Sequence, residues 1–365
     1  MLKDIINHKK WSASMSALLN QFIEHGGQTI AELSKNLGVS VPYTTKTLNE
    51  LIEIGLVQTT GKRDNYSKRA PKIYDLIATS GYFLGIDTGK DNLTFGICDF
   101  CGNMIADPVK IDFDYKDNLE CFETFIKSIN SFIEKSGIDK SQIKNACLSI
   151  GGRVNPEMGC AYNFFTCLGK PLAEAISEKL ELPFCIDNDT RCMTYGESLK
   201  GVCKGIKNVI FVNVSWGIGI GIIIDGKLYQ GKSGFSGEIG HMHIYNNDII
   251  CHCGKTGCME TETSGSALLR KMNQKLQEGG TSVLTDKVMI QHQELTLQDI
   301  LDAIQKEDVL SIESLQRMAV ELGTNLAGII NTFNPEMLVI GGDLSVTGEY
   351  LTQPICMGRS SHSIW

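Results

Sequence analysis

The chain has 365 residues, 42% of them hydrophobic and 21% charged, enough to bury substantial cores and to divide into two or three domains. No apolar run reaches the roughly 18 residues a membrane-spanning helix needs, and the opening MLKDIINHKKW lacks a signal peptide's apolar stretch and cleavage site, so the expected location is the cytoplasm, with no membrane insertion. The net charge of −8 argues against nucleic acid when read globally, but residues 1–79 hold ten Lys and Arg against seven Asp and Glu, net +3, leaving −11 for the remainder.

Apolar Met15, Leu18, Leu19, Phe22 and Ile23 recur with a helical period until Gly26 and Gly27 end the pattern. Thr29 with Glu32 three residues on has the form of a capping box, and Leu33 and Leu37 give a short second helix its buried stripe, closed by Gly38. Ser40 then caps a third helix over 41–54. Its expected buried stripe is Val41, Thr45, Leu48, Leu51 and Ile52, with Pro42, Tyr43, Thr44, Lys46 and Thr47 near the exposed N-terminal end, which is the layout of a recognition helix. Residues 56–60 and 73–76 read as strands flanking a basic loop, a wing whose Lys62, Arg63, Lys68, Arg69 and Lys72 can reach phosphates or the minor groove. A basic loop alone is usually just a solvated charged hairpin. The ordered combination of short helices, glycine turn and basic hairpin points to double-stranded DNA, with Tyr43, Thr44, Lys46, Thr47, Lys62, Arg63, Lys68 and Arg69 as candidate contacts.

From Tyr82 the texture changes to apolar segments separated by glycine turns. Residues 83–86, 93–98 and 104–105 read as three meandering strands, followed by a helix over 119–136, a strand over 146–150, a helix near 172–180 and a strand over 184–186: an α/β alternation. A second such pattern begins at 209–214 and 220–224, turns at Asp225-Gly226 and continues through 228–229. Two similar lobes with a cleft between them are expected.

Thirteen cysteines in a long chain without a secretion signal point to reduced thiols and a metal site rather than a disulfide framework. His241, Cys251, Cys253 and Cys258 are spaced by ten, two and five, with Gly254 and Gly257 turning the chain between the thiols. Three thiolates and an imidazole make a closed tetrahedral zinc set with no position left for a catalytic water, so the expected zinc is structural. Buried free cysteines are the alternative, and the interruption by glycine and Lys255-Thr256 rather than core residues disfavours it.

Gly237-Glu238-Ile239-Gly240-His241 followed by residues 251–260, CHCGKTGCME, resembles the hallmark of the ROK family, which contains sugar kinases and repressors. The likeness extends to Gly217-Ile218-Gly219-Ile220-Gly221 and to Ile186-Asp187-Asn188-Asp189, and covers nearly the whole chain, since many ROK repressors carry an N-terminal winged helix. It implies an α/β fold with a winged helix-turn-helix over 1–79 and a two-lobed, actin-like (ribonuclease H-like) sugar-kinase ATPase body with a zinc knuckle, its lobes at 80–190 and 191–365. By the same resemblance Asn188 and Asp189 are sugar-binding, Asp189 being the general base of the kinases, and Glu238, His241 and Glu260 are further sugar contacts. His241 would give one ring nitrogen to zinc and the other to a hydroxyl. Taken alone, Asn188-Asp189 reads better as a turn after a strand, and the metal motif reverses that preference.

The nucleotide side differs. ROK kinases carry Asp-x-Gly-Gly-Thr-Lys in the first phosphate loop; here Asp87 and Gly89 remain, while Lys90, Asp91 and Asn92 replace the second glycine, the threonine and the lysine. A carboxylate about 4 Å from a phosphate charge is repelled by roughly 4 kcal/mol at an effective dielectric near 20, a large loss of affinity. In the second loop Ile218 stands where kinases commonly place threonine. The remaining candidates, Asp87, Gly89, Gly217, Gly219, Gly341 and Gly342, therefore describe a vestigial nucleotide site, the glycines of the second loop reading best as a tight turn between strands.

Two functions remain open: a sugar-metabolism repressor, a homodimer or tetramer whose operator binding is controlled by a sugar or sugar phosphate, and an active hexose kinase with a DNA-binding extension, supported by Asp189. A repressor switched by a protein partner is a third, weaker option. Arg153, Asn155, Asn163, Phe164 and Phe165 are read equally as ligand-facing or structural. The last ten residues do not read as a helix, and a truncated, poorly packed C-terminus is expected.

Overall fold

In the computed structural model, residues 12–62, 70–360 and 362 are described. Among the described residues three helices come first, α1 (Ala13–His25), α2 (Ile30–Leu37) and α3 (Val41–Glu53), followed by the antiparallel hairpin of β1 (Val57–Lys62) and β2 (Lys72–Leu76). The capping box is present at α2, where the Thr29 N–H donates to the Glu32 carboxylate at 2.9 Å and the Glu32 N–H donates to the Thr29 hydroxyl at 3.4 Å. Gly38 ends α2 in the left-handed region, at φ 65°. Ser40 occupies the cap position of α3 without a side-chain capping bond, so its expected capping role is corrected. Met15, Leu18, Phe22, Leu33, Leu48 and Leu51 form the core of this part, with Leu56 just before β1 and Leu76 of β2.

The expected buried stripe of α3 is also corrected. Val41 and Ile52 are exposed, whereas Thr44 and Thr47 are buried with Leu48 and Leu51. The threonine hydroxyls donate to the helix carbonyls of Ser40 and Tyr43, at 3.2 Å each, so these side chains turn their methyls to the core without an unsatisfied polar atom.

Contact density divides the chain into two units, Met1–Asp189 and Thr190–Trp365. The first also holds a five-stranded sheet in the order β5-β4-β3-β6-β9, built from β3 (Tyr82–Thr88), β4 (Asn92–Asp99), β5 (Val109–Asp112), β6 (Ile143–Ile150) and β9 (Phe184–Asn188), with a small β7–β8 hairpin (Val154–Asn155, Cys160–Ala161) between the last two. Strands β3, β4 and β5 form an antiparallel meander, and β6 and β9 add in parallel. The third strand of the meander is thus Val109–Asp112; Met104, expected there, makes only a single bridge to Cys98. Helices α4 (Leu119–Ser136) and α5 (Leu172–Leu180) bury Phe122, Phe125, Ile129 and Ile176 against Leu84, Ile86, Leu148 and Ile186 of the sheet. Phe164 and Phe165 belong to this core, where Tyr115 stacks on Phe164 at 4.6 Å between ring centroids.

The second unit repeats the plan with four strands in the order β12-β11-β10-β13: β10 (Val209–Val214), β11 (Ile218–Ile224) and β12 (Lys227–Leu228) antiparallel, and β13 (Met337–Gly341) parallel to β10. Helix α6 runs from Asp189 to Lys200, a short α7 (Glu260–Thr263) leads into α8 (Gly265–Gln277), and α9 (Leu297–Gln305), α10 (Val309–Phe333) and α11 (Glu349–Ser360) complete the unit. Strand β11 needs glycine for packing: a Cβ on Gly221 would overlap the Thr194 side chain, and one on Gly219 would stand 3.2 Å from the Thr190 hydroxyl. Gly217 alone lies in the turn, which corrects the expectation that all these glycines serve it. The expected loose C-terminus is corrected as far as the described residues reach. Helix α11 runs to Ser360, buries Leu351, Pro354, Ile355 and Gly358, and crosses α10 so closely that Cβ atoms on Gly323 or Gly358 would overlap backbone carbonyls of the other helix. Residues 361 and 363–365 lie outside the described residues. Among the described residues no helix is long and apolar enough to cross a membrane.

Candidate functional site

The metal-ligand set is assembled by a short loop in the second unit. His241 ends a single 3-10 turn (Ile239–His241), and Cys251 to Cys258 fold back on themselves, with the Gly254 N–H donating to the Cys251 carbonyl at 2.8 Å and bridges pairing Ile250 with Thr256 and His243 with Cys258. Gly254 (φ 84°) and Gly257 (φ 70°) hold left-handed turns, and at Gly257 a Cβ would also overlap the His243 ring. The four ligand atoms lie within 4.8 Å of one another. Cys251 Sγ is 3.6 Å from His241 Nδ1, and Cys253 Sγ is 3.6 Å from Cys258 Sγ. With zinc–sulfur bonds near 2.3 Å, a tetrahedron places sulfurs about 3.8 Å apart, so the donors fit that ion. His241 turns its other nitrogen, Nε2, to Glu238, 3.7 Å from the carboxylate.

Glu260, two residues beyond Cys258 at the start of α7, is buried. It accepts hydrogen bonds from His252 Nδ1 at 2.7 Å and from the Ile218 N–H at 3.2 Å. Burial pushes this carboxyl up, but the hydrogen bond and charge of His252 outweigh burial and hold it below the usual carboxylate range. The same pairing raises His252. The sequence motif contains His252 without assigning it a role; its position between two ligand cysteines is the signal that it projects beside the metal loop.

In the first unit, Asn188 ends β9 and Asp189 opens α6. Asn188 Nδ2 donates to the Gly152 carbonyl at 3.0 Å and to Asp189 Oδ1 at 2.9 Å, which fixes the asparagine amide and leaves the second carboxylate oxygen of Asp189 beside Gly151, 3.5 Å from where a Cβ there would stand. Asn163 Nδ2 donates to the Gly151 carbonyl at 3.0 Å, tying the same turn.

The phosphate-loop positions are occupied by internal contacts. Asp87 accepts the Ser149 hydroxyl at 2.6 Å, and the Gly89 N–H donates to the Asn92 carbonyl at 2.9 Å, while Lys90 and Asp91 are exposed at the tip of the turn. In the second unit the Ile218 N–H already serves Glu260. Gly341 and Gly342 border a depression of 440 Å³ with Met193, Glu197, Phe211 and Ser345.

On α3 the exposed side chains are Val41, Pro42, Tyr43, Lys46 and Asn49, with Ile52 and Glu53 at its C-terminal end, and the Tyr43 hydroxyl is hydrogen-bonded to Ser14 on α1. Thr44 and Thr47 face the core, which corrects their assignment as DNA contacts. Lys62 lies exposed at the end of β1, opposite Lys72; Arg63, Lys68 and Arg69 lie outside the described residues.

Comparison with known proteins adds the wider context. Residues 83–361 match the ROK family, and residues 16–58 match a winged helix-turn-helix DNA-binding domain. The xylose repressor of Bacillus subtilis is 28% identical over 324 residues, covering 88% of this chain and 80% of its own. A glucokinase of Halalkalibacterium halodurans is 29% identical over 281 residues, covering 75% of this chain and 84% of its own. Among solved structures, a ROK family transcriptional regulator described as a homologue of the Escherichia coli Mlc protein superposes with a TM-score of 0.80 at 26% identity, covering 96% of this chain and 88% of its own.

Proposed function

The chain belongs to the ROK family, and from that premise we propose that it is a transcriptional repressor that binds operator DNA through its winged helix and is controlled by a sugar or sugar phosphate. The observation that carries this reading is the reach of the likeness: the repressor relatives match winged helix and body together, whereas the glucokinase match, at 281 residues, is no longer than the body after residue 80.

In this reading Asn188, Asp189, Glu238, His241 and Glu260 are the sugar contacts. Carboxylates and amides suit a polyol because they accept and donate several hydrogen bonds in fixed directions. The His241, Cys251, Cys253 and Cys258 set would hold zinc, whose contribution is to brace the loop and fix the His241 ring, leaving Nε2 on the side of Glu238. The sugar acts by binding one conformational state of the repressor better than another, and DNA affinity changes by that same differential. The protein is proposed to act in the cytoplasm as a symmetric oligomer on a palindromic operator.

Nucleotide chemistry is disfavoured by the exposed Lys90 and Asp91 in the first phosphate turn and by Glu260 on the Ile218 N–H. The experiment that tests the reading is titration of labelled promoter DNA with the protein at low salt, with and without a panel of sugars and sugar phosphates. Salt-sensitive binding that one sugar class changes supports it. No binding at low salt, together with hexose-dependent ATP turnover lost in Asp189→Ala, replaces it with the kinase reading.

A further inference from the structure

Two cysteines that neither the sugar reading nor the metal set uses stand side by side in the sheet of the first unit. Cys147 on β6 and Cys185 on β9 are register partners across parallel strands. Strand alternation puts both on the face opposite the hydrophobic core, to which their neighbours Ala146, Leu148 and Ile186 contribute. Adjacent strands lie about 4.8 Å apart, within the roughly 4.4–6.8 Å of Cα separation that a disulfide spans. Both side chains are partly exposed, so a small oxidant can reach them.

The surroundings favour reaction at Cys185. Its Sγ lies 3.7 Å from Asn145 Nδ2, placed as a donor to the sulfur. A hydrogen bond from the Cys147 thiol lowers the Cys185 titration below that of an ordinary thiol, against the opposing effects of burial and of Asp187, and the Asn145 amide adds to the lowering.

We infer that Cys147 and Cys185 form an oxidisable dithiol whose disulfide ties β6 to β9. The oxidant is a hydroperoxide. The Cys185 thiolate attacks its terminal oxygen, the O–O bond breaks, the leaving oxygen takes a proton and departs as alcohol or water, and Cys185 becomes a sulfenic acid. The Cys147 sulfur then attacks the sulfenic sulfur, losing its proton as the S–O bond breaks, and a second water leaves with the hydroxyl. In sum, two thiols are oxidised and one peroxide is reduced. The position matters because β6 runs directly into Gly151 and Gly152, and β9 into Asn188, whose amide is bound to the Gly152 carbonyl. A covalent tie there joins the two strands that carry this pair. Any effect on sugar binding rests on the proposed function, whereas the cross-link does not.

The test uses the full chain, reduced and metal-loaded. It is exposed to hydrogen peroxide, its remaining thiols are alkylated, and it is digested without reductant for mass spectrometry while zinc release is followed with a colorimetric chelator. The expected result is a peptide joining Cys147 to Cys185 before metal is released, cleaved by dithiothreitol, and replaced in Cys147→Ser by a Cys185 sulfenic acid that dimedone traps. The inference is overturned if both cysteines remain alkylated after the metal-loop thiols have oxidised, or if Cys185 proceeds to sulfinic acid in wild-type protein without a cross-link. The wild-type result decides even where a serine variant does not fold.

Discussion

His252 Nδ1 lies 2.7 Å from Glu260 Oε1, and the same carboxylate accepts the Ile218 N–H at 3.2 Å, so one buried acid links the metal loop to the start of β11. Glu260→Gln keeps the size and removes the charge. A hydrogen bond to a charged group contributes about 1.5–3 kcal/mol, so sugar affinity measured by calorimetry is expected to fall roughly 10- to 100-fold with the fold retained. Unchanged affinity for a sugar that binds the wild type would remove Glu260 from the contact set.

Metal removal separates the zinc set from ordinary thiols. Purified protein is expected to carry about one zinc per chain, and Cys253→Ser to lose it with a lower Tm, while Cys167→Ser, an exposed cysteine outside the cluster, keeps it. Full metal content in Cys253→Ser, measured by atomic emission, would contradict the assignment.

The burial of Thr44 distinguishes two kinds of change in α3. Thr44→Val removes a hydroxyl already bonded within the helix, so it should cost about 0.5–1.5 kcal/mol of stability and leave operator affinity intact. Lys46→Ala should do the reverse, weakening binding and reducing the slope of log K against log salt by about 1, the contribution of one phosphate contact. An operator affinity that follows Thr44 rather than Lys46 in an anisotropy titration would place the DNA-facing surface elsewhere.

Asp308 caps α10. It accepts from the Ser311 N–H at 2.9 Å, the Ser311 hydroxyl at 2.7 Å, the Val283 N–H at 3.0 Å and the Ser282 hydroxyl at 3.0 Å. Burial pushes its carboxyl up, but these hydrogen bonds prevail and hold it below the ordinary value. A depressed folded-state pKa gives stability that is fully present above the unfolded value, near 3.9, and is lost as pH falls through the folded one. Asp308→Ala should therefore cost about 1–2 kcal/mol at neutral pH, and denaturant melts of wild type and variant should converge in strong acid. A difference independent of pH would show that the carboxylate charge is not the cause.

The bounds of α4 were legible because its apolar period is long and Asn118 and Gly137 close it, those of α5 because Pro171 precedes its short apolar stripe, and the metal set because glycine-separated cysteines have few other uses. Thr44 and Thr47 were not, since a threonine that bonds its own helix looks polar in sequence and packs as a small apolar group. Met104 and Ile105 looked like a strand because both are apolar, yet they lie exposed beside a turn. Helix α11 was hidden by Pro354 and Gly358, which interrupt a helical pattern but are buried where α11 meets α10. The link from Glu260 to Ile218 joins positions 42 residues apart, and no local spacing reports it.

With its two threonines turned inward, α3 shows solvent an apolar and aromatic tip of Val41, Pro42 and Tyr43 beside one cation and one amide, Lys46 and Asn49. Such a surface offers guanine Lys46 alone and no arginine fork; it suits thymine methyl groups, and an asparagine amide pairs naturally with the adenine edge. The half-site beneath this helix should therefore be rich in A·T pairs, and replacing its thymines with uracil, which deletes only the methyls, should loosen the complex without altering a single hydrogen bond.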